Sequence, residues 1–323
     1  MTALGAVTGI PVFCDSGFVI LSNLGKSLSR QTATSYGAIS IALATGLYTT
    51  HVLVPPTPGP LAAAGNLGMA NELGWVILMG LVTCVPALLV GYFFARRFAQ
   101  RALPSDVVEA PATAYETVPR VWISVIPLLL PVVLIAAGSV LNVVTVPDAA
   151  RDKLVFLFNP NIALLISVIV AFVLLAMPYR KAWNEWIQKS LAQAGPIILI
   201  TTAGGALGAV LKATPLAEQF NDLLQGKQLS AFVLFPVAYL LAAGLKTSQG
   251  SSTAALVIAS SILAPLMGSW GLDHPAEKAL LVTSIGAGAM TVSHANDSFF
   301  WVINQYSGLT VPQMYRHFTL TTF

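Results

Sequence analysis

Apolar residues run along this chain in blocks of about 20 or more, the length a helix needs to cross a hydrocarbon layer. The blocks lie near 2–24, 33–68, 74–95, 121–144, 160–178, 230–269 and 279–308, parted by short polar stretches. Each predicts a membrane helix, and the class is all-α and polytopic. The second, sixth and seventh blocks are too long for one straight helix and carry Pro, Gly or polar residues near their middles, which predicts broken helices. A further apolar piece, 192–213, holds Gly195-Pro196 and then Gly204-Gly205. These let the chain double back as a re-entrant hairpin, although Gly is also common in plain membrane spans.

Basic side chains set the orientation. With the loops near 25–32, 96–120, 179–191, 212–229 and 309–323 on the cytoplasmic side, 12 of the 16 lysines and arginines lie inside, as the positive-inside rule asks. Placing 212–229 there requires the 192–213 piece to enter and leave on one face. Residues 96–120, polar and Pro-containing, read as a linker between an N-terminal membrane repeat, 1–95, and a C-terminal one, 121–323. Tyr179 to Lys189, with Trp183, Trp186 and Ile187 among charges, reads as an amphipathic helix at the interface or an ordinary connecting helix.

Composition agrees. Only 9% of the 323 residues are charged and 56% are hydrophobic, far from the roughly 25% charged content of soluble domains. The net charge of +3 is spread over loops without interleaved aromatics, which argues against nucleic acid and leaves the lipid bilayer as the partner. Cys14 and Cys84 sit in apolar blocks and read as buried thiols, not as a disulfide or metal site. No metal or cofactor is expected. The first block lacks a basic n-region and is interrupted by Pro11 and Asp15, so it does not read as a signal peptide.

Function is sought where polar residues interrupt lipid-grade sequence. Phe13-Cys14-Asp15-Ser16-Gly17 interrupts the first block, as Ser248-Gln249-Gly250-Ser251-Ser252-Thr253 interrupts the sixth. Thr50-His51 leads into Val54-Pro55-Pro56-Thr57-Pro58-Gly59-Pro60, as Ser293-His294 leads into Asn296-Asp297. By the orientation above the two halves run oppositely, the inverted repeat of many secondary transporters, whose sites form where broken helices meet. Gly250 permits close backbone approach, and Ser251, Ser252 and Thr253 add hydroxyls at a half-helix N-terminus suited to a carboxylate. The alternative is a Ser/Thr cluster that packs helices together. The four prolines of 55–60 predict an extended segment.

Asp15, Lys246 and Asp297, with His51 and His294, are the ionisable groups inside the predicted spans, where charge usually marks a pathway. Each histidine is equally a hydrogen-bonded core residue. Lys246 can neutralise one carboxylate or a substrate, and a carboxylate left without it is a proton carrier. Asp297 is preferred over Asp15, because His294 would lie one helical turn away as a relay.

At these residues the chain resembles the gluconate permease (GntP) family of proton-coupled symporters. The matching stretches are Asp15 with Gly17-Phe18-Val19, Thr50-His51 with the run from Val54 to Pro60, Gly250-Ser251-Ser252-Thr253, and Gly286-Ala287-Gly288 through Ser293-His294-Ala295-Asn296-Asp297 to Phe300-Trp301. The resemblance implies uptake of gluconate or a related sugar acid, hydroxy acid or amino acid with a proton, in a bacterial inner membrane. The residues read above are expected to divide into Gly250, Ser251, Ser252, Thr253, Lys246, His51, Pro55, Pro56, Gly59 and Asn296 for the substrate, and Asp297, Asp15 and His294 for the proton. Thr57 stands where many members have His, and Lys246 where gluconate-type members tend to have Arg. Further spans before Gly9 and after Phe323 are expected from the family. Three other readings stand beside this one: a sodium-coupled carboxylate carrier, a truncated inactive fragment, and an intramembrane hydrolase using Asp15 and Asp297 or a metal on His51, His294 and Asp297. Homo-oligomerisation is left open.

Overall fold

The computed structural model describes residues 1–99, 120–140, 148–177, 183–213 and 231–323, and every regular element among them is helical. The first and second apolar blocks are each divided in two. Helices α1 (Thr2–Gly9) and α2 (Cys14–Thr32) are parted at 10–13, and α3 (Tyr36–Leu53) and α4 (Pro58–Asn66) at 54–57. Next come the continuous α5 (Leu73–Ala99), then α6 (Val121–Val140), α7 (Asp148–Leu157), α8 (Pro160–Ala171) with a π turn over Phe172–Ala176, and α9 (Trp183–Ala213). The last two blocks divide again. Helices α10 (Ala231–Gln249) and α11 (Ser252–Leu263) are parted at 250–251, and α12 (Pro275–Met290) and α13 (Ser298–Ser307) at 291–297. A short α14 (Val311–Met314) runs into a π turn, Tyr315–Thr319.

Helix pairing follows the same order in both halves. Helix α1 packs on α3 as α10 packs on α12, while the second half-helices cross over: α2 packs on α13 and α4 on α11. Close backbone approach makes the first pairings tight. A Cβ on Gly46 of α3 would meet the Thr2 carbonyl of α1, and one on Gly288 of α12 would meet the Tyr239 carbonyl of α10, so only glycine fits at either crossing. The core of this arrangement is α3, with 94% of its apolar window buried, against 28% for α5. The large side chains that α5 exposes, Leu81, Val82, Val85, Leu89, Val90 and Phe93 among them, are what a lipid-facing surface requires.

Among the described residues, Tyr36–Asn66 taken across its break and Leu73–Arg97 are each long and apolar enough to cross a membrane. Arg151–Leu157 with Asn161–Ala176, bent by 61°, makes a third if counted as one span. Of the other expected spans, the first, sixth and seventh are each divided at a break.

Several sequence expectations are corrected. The hairpin is not formed: α9 is one helix that continues without interruption through Gly195-Pro196. Residues 214–230, 100–119 of the expected linker, and 178–182 of the amphipathic stretch lie outside the described residues. Residues 25–32 are not a loop, because no breaker stops α2 before Ala33, and Arg30 in its last turn suits the negative end of the helix dipole. The first break precedes Cys14 rather than following it. The Pro-rich run is not an extended segment: residues 54–57 form a tight turn between α3 and α4, and Pro58 sits at the first position of α4, where its missing N–H would have been unpaired anyway.

Candidate functional site

Three of the four breaks meet around one cavity of about 470 Å³. Phe13, Cys14, Asp15 and Ser16 enter it from the start of α2, His51 from the end of α3, Gln249 to Thr253 from the α10–α11 break, and Asn296 to Phe299 from the α12–α13 break. Helices α2, α11 and α13 thus all begin at this cavity. Each brings unpaired N–H groups and the positive end of its dipole to one place.

Two of the three N-termini are capped. Ser251 Oγ accepts from the Ala254 N–H at 3.2 Å, and Asp297 Oδ1 from the Phe299 N–H at 3.1 Å. Phe13 offers α2 no side-chain cap, so that N-terminus stays open. Asp15 lies in its first turn and accepts from Ser298 Oγ at 3.3 Å.

Lys246 is fully buried in the last turn of α10, just behind the cavity wall. Its Nζ lies 2.6 Å from Asp297 Oδ2 and donates to the Gly250 carbonyl, also at 2.6 Å. One ammonium therefore closes the end of α10 and fixes the carboxylate that starts α13. Asp297 Oδ2 also accepts from Ser293 Oγ and from the Tyr48 hydroxyl, the latter at 3.4 Å. Asn296 Nδ2 donates to the Thr247 carbonyl at 2.7 Å, and His294 Nε2 lies 3.1 Å from the same oxygen. Gly250, at φ 80°, backs directly onto the Asn296 carbonyl, a conformation and a contact that admit no side chain. The two C-terminal breaks are thus stitched into one unit.

Not every predicted residue reaches the cavity. Pro55, Pro56 and Gly59 are not in its lining. Gly59 packs behind it on Leu256 and Thr253 of α11, which explains a residue without a side chain there. Thr57, buried, donates to the carbonyls of His51 at 2.7 Å and Val54 at 2.9 Å, satisfying the free end of α3. His294 is not one helical turn from Asp297: residues 291–297 are the break itself, and its ring turns to Thr247. His51 is buried against the Phe13 ring with an Nδ1 that has no partner, an unusual state for a buried polar atom and one that a ligand would relieve. Among the described residues, no three His, Cys, Asp or Glu side chains are placed to hold a metal.

The principal residue missed by sequence reasoning is Tyr48. It is fully buried, with its hydroxyl 3.2 Å from Ser252 Oγ and 3.4 Å from Asp297 Oδ2, so it ties α3 to both C-terminal breaks. Within an apolar run a lone tyrosine reads as core, and only its polar tip hints otherwise.

The family profile described as GntP family permease matches residues 1–323. The chain is 31% identical over 342 residues to the inner membrane permease YgbN of Escherichia coli, covering 100% of this chain and 73% of that one. It is 29% identical over 332 residues to the D-serine transporter DsdX of Escherichia coli, covering 100% of this chain and 73% of the transporter. It is also 29% identical over 331 residues to the gluconate permease of Bacillus subtilis, covering 97% and 72%. No solved structure matches it.

Proposed function

The chain belongs to the GntP permease family, a multi-pass membrane permease and not an enzyme, and from that premise we propose that it carries a small hydroxylated or amino-substituted carboxylate inward with a proton. The membrane is the bacterial inner membrane. The substrate carboxylate sits at the open N-terminus of α2 and the first turn of α11, with Ser252, Thr253, Asn296 and His51 Nδ1 serving its hydroxyl or amino groups. Helix N-termini converging on a polar cavity are the general arrangement for an anion.

The observation that carries the proton assignment is the pairing of Lys246 with Asp297. Lys246 pairs with Asp297, while among the described residues no cation forms an ion pair with Asp15, so the cavity holds one negative charge without a partner of its own. An entering anion would double it. A proton on Asp15 removes the repulsion, and anion and proton then travel together. The sequence favoured Asp297 through His294; with that relay unformed and Asp297 held by Lys246, the assignment moves to Asp15.

The two halves, 1–95 and 121–323, act in this reading as inverted repeats that alternate about the cavity, supported by their matching order of broken helices and pairings. The test is uptake into proteoliposomes of labelled gluconate, L-idonate and D-serine under an inward pH gradient, with and without sodium. Uptake of at least one that follows the pH gradient is expected. Accumulation that follows sodium alone would replace the proton with sodium.

A further inference from the structure

The break that carries Asp297 is held by side chains from an element that does not touch the cavity. The Ser293 N–H donates to Thr322 Oγ1 at 3.0 Å, and Thr319 Oγ1 donates to the Ser293 carbonyl at 2.7 Å. Thr322 Oγ1 in turn donates to the Thr319 carbonyl at 2.9 Å, so the two threonines form one unit around the backbone of a single residue. Both polar groups of Ser293 are thereby satisfied where no helix could do so. The adjoining Val292 has φ 55°, a left-handed conformation that a β-branched residue adopts only when its surroundings hold it. Ser293 itself is fully buried and spends its hydroxyl on Asp297 Oδ2. Phe318, just before Thr319, is buried between the Tyr48 and Phe299 rings and fixes the segment in place. Thr319 is the last residue of the π turn.

We propose that Thr319 and Thr322 are positioning residues of the transport site: they pin the Ser293 peptide so that its hydroxyl holds Asp297 against Lys246, leaving Asp15 to take the proton. The inference rests on the functional reading above. Without the two hydroxyls the break relaxes at its strained Val292, Asp297 loses the Ser293 donor, and the two carboxylates compete for the proton.

The test pairs Thr319→Val and Thr322→Val, which keep the branched shape, with Thr319→Ser and Thr322→Ser, which keep the hydroxyl. Hydrogen exchange at the Ser293 amide should run about tenfold faster in Thr322→Val and return to wild type in Thr322→Ser. Uptake in the two valine variants should show a severalfold higher KM and a pH profile displaced by about half a unit or more, both restored by serine. Faster exchange with an unchanged KM and pH profile would reduce the threonines to fold stabilisers and overturn the inference, while the functional reading stands. A wild-type chain that neither binds nor carries an organic anion sinks that reading and the inference with it.

Discussion

Lys246 and Asp297 lie 2.6 Å apart with both side chains buried, one closing helix α10 and the other opening α13. Removing the ammonium alone leaves a buried carboxylate uncompensated, at a cost on the order of 3–5 kcal/mol. Lys246→Met is therefore expected to lower the melting temperature in detergent sharply, and Lys246→Met with Asp297→Asn to recover most of it. A single variant as stable as wild type would show that the pair is not formed in the protein.

Gly250 makes the second demand on this region. At φ 80° and backed by the Asn296 carbonyl, it admits no Cβ. Gly250→Ala should cost about 1–3 kcal/mol from backbone strain alone and separate the two C-terminal breaks. Thermal unfolding and the yield of monodisperse protein check this, and an alanine variant that matches wild type in both contradicts the close contact.

Tyr48→Phe keeps the ring stack on Phe299 and deletes the hydroxyl shared by Ser252 and Asp297. A hydrogen bond to a charged group contributes about 1.5–3 kcal/mol. Because Tyr48 acts through Ser252 and Asp297 and does not itself line the cavity, KM should rise severalfold while expression holds. An unchanged KM would place Tyr48 in the core rather than in the site.

Cysteine accessibility separates the cavity from the Pro-rich run. Ser16 lines the cavity, whereas Thr57 is buried behind it and bonded to the end of α3. With Cys14 and Cys84 replaced by alanine, Ser16→Cys should react with a small water-soluble thiol reagent and be protected by substrate, and Thr57→Cys should stay unlabelled. Labelling of Thr57→Cys that substrate blocks would restore the Pro-rich run to the site.

How far the sequence carried these conclusions differs by element. The four interruptions were legible because Gly, Pro and charged residues are costly inside apolar blocks, and the structure breaks a helix near each. Gly250, Ser251, Ser252, Thr253, Asp15, His51 and Asn296 were legible for the same reason, and all line one cavity. Direction was harder to read: His294 and Asp297 look a helical turn apart only if the segment is helical, and it is the break. Pro58 reads as part of an extended run because a proline that ends one helix and a proline that starts the next look alike in sequence. Gly195-Pro196 suggested a hairpin, yet a membrane helix absorbs such a pair. Tyr48, Thr319 and Thr322 act through bonds spanning up to hundreds of residues, and no local pattern reports those.

The central claim is that Asp15 carries the coupled proton. Uptake into proteoliposomes loaded to impose an inward proton gradient, compared with substrate exchange at equal pH on both sides, tests it directly in Asp15→Asn. The amide mimics the protonated carboxyl, so the variant should exchange substrate at close to the wild-type rate, fail to accumulate it against a gradient, and show no stimulation by external acid. Accumulation by Asp15→Asn with a wild-type pH profile would contradict the account.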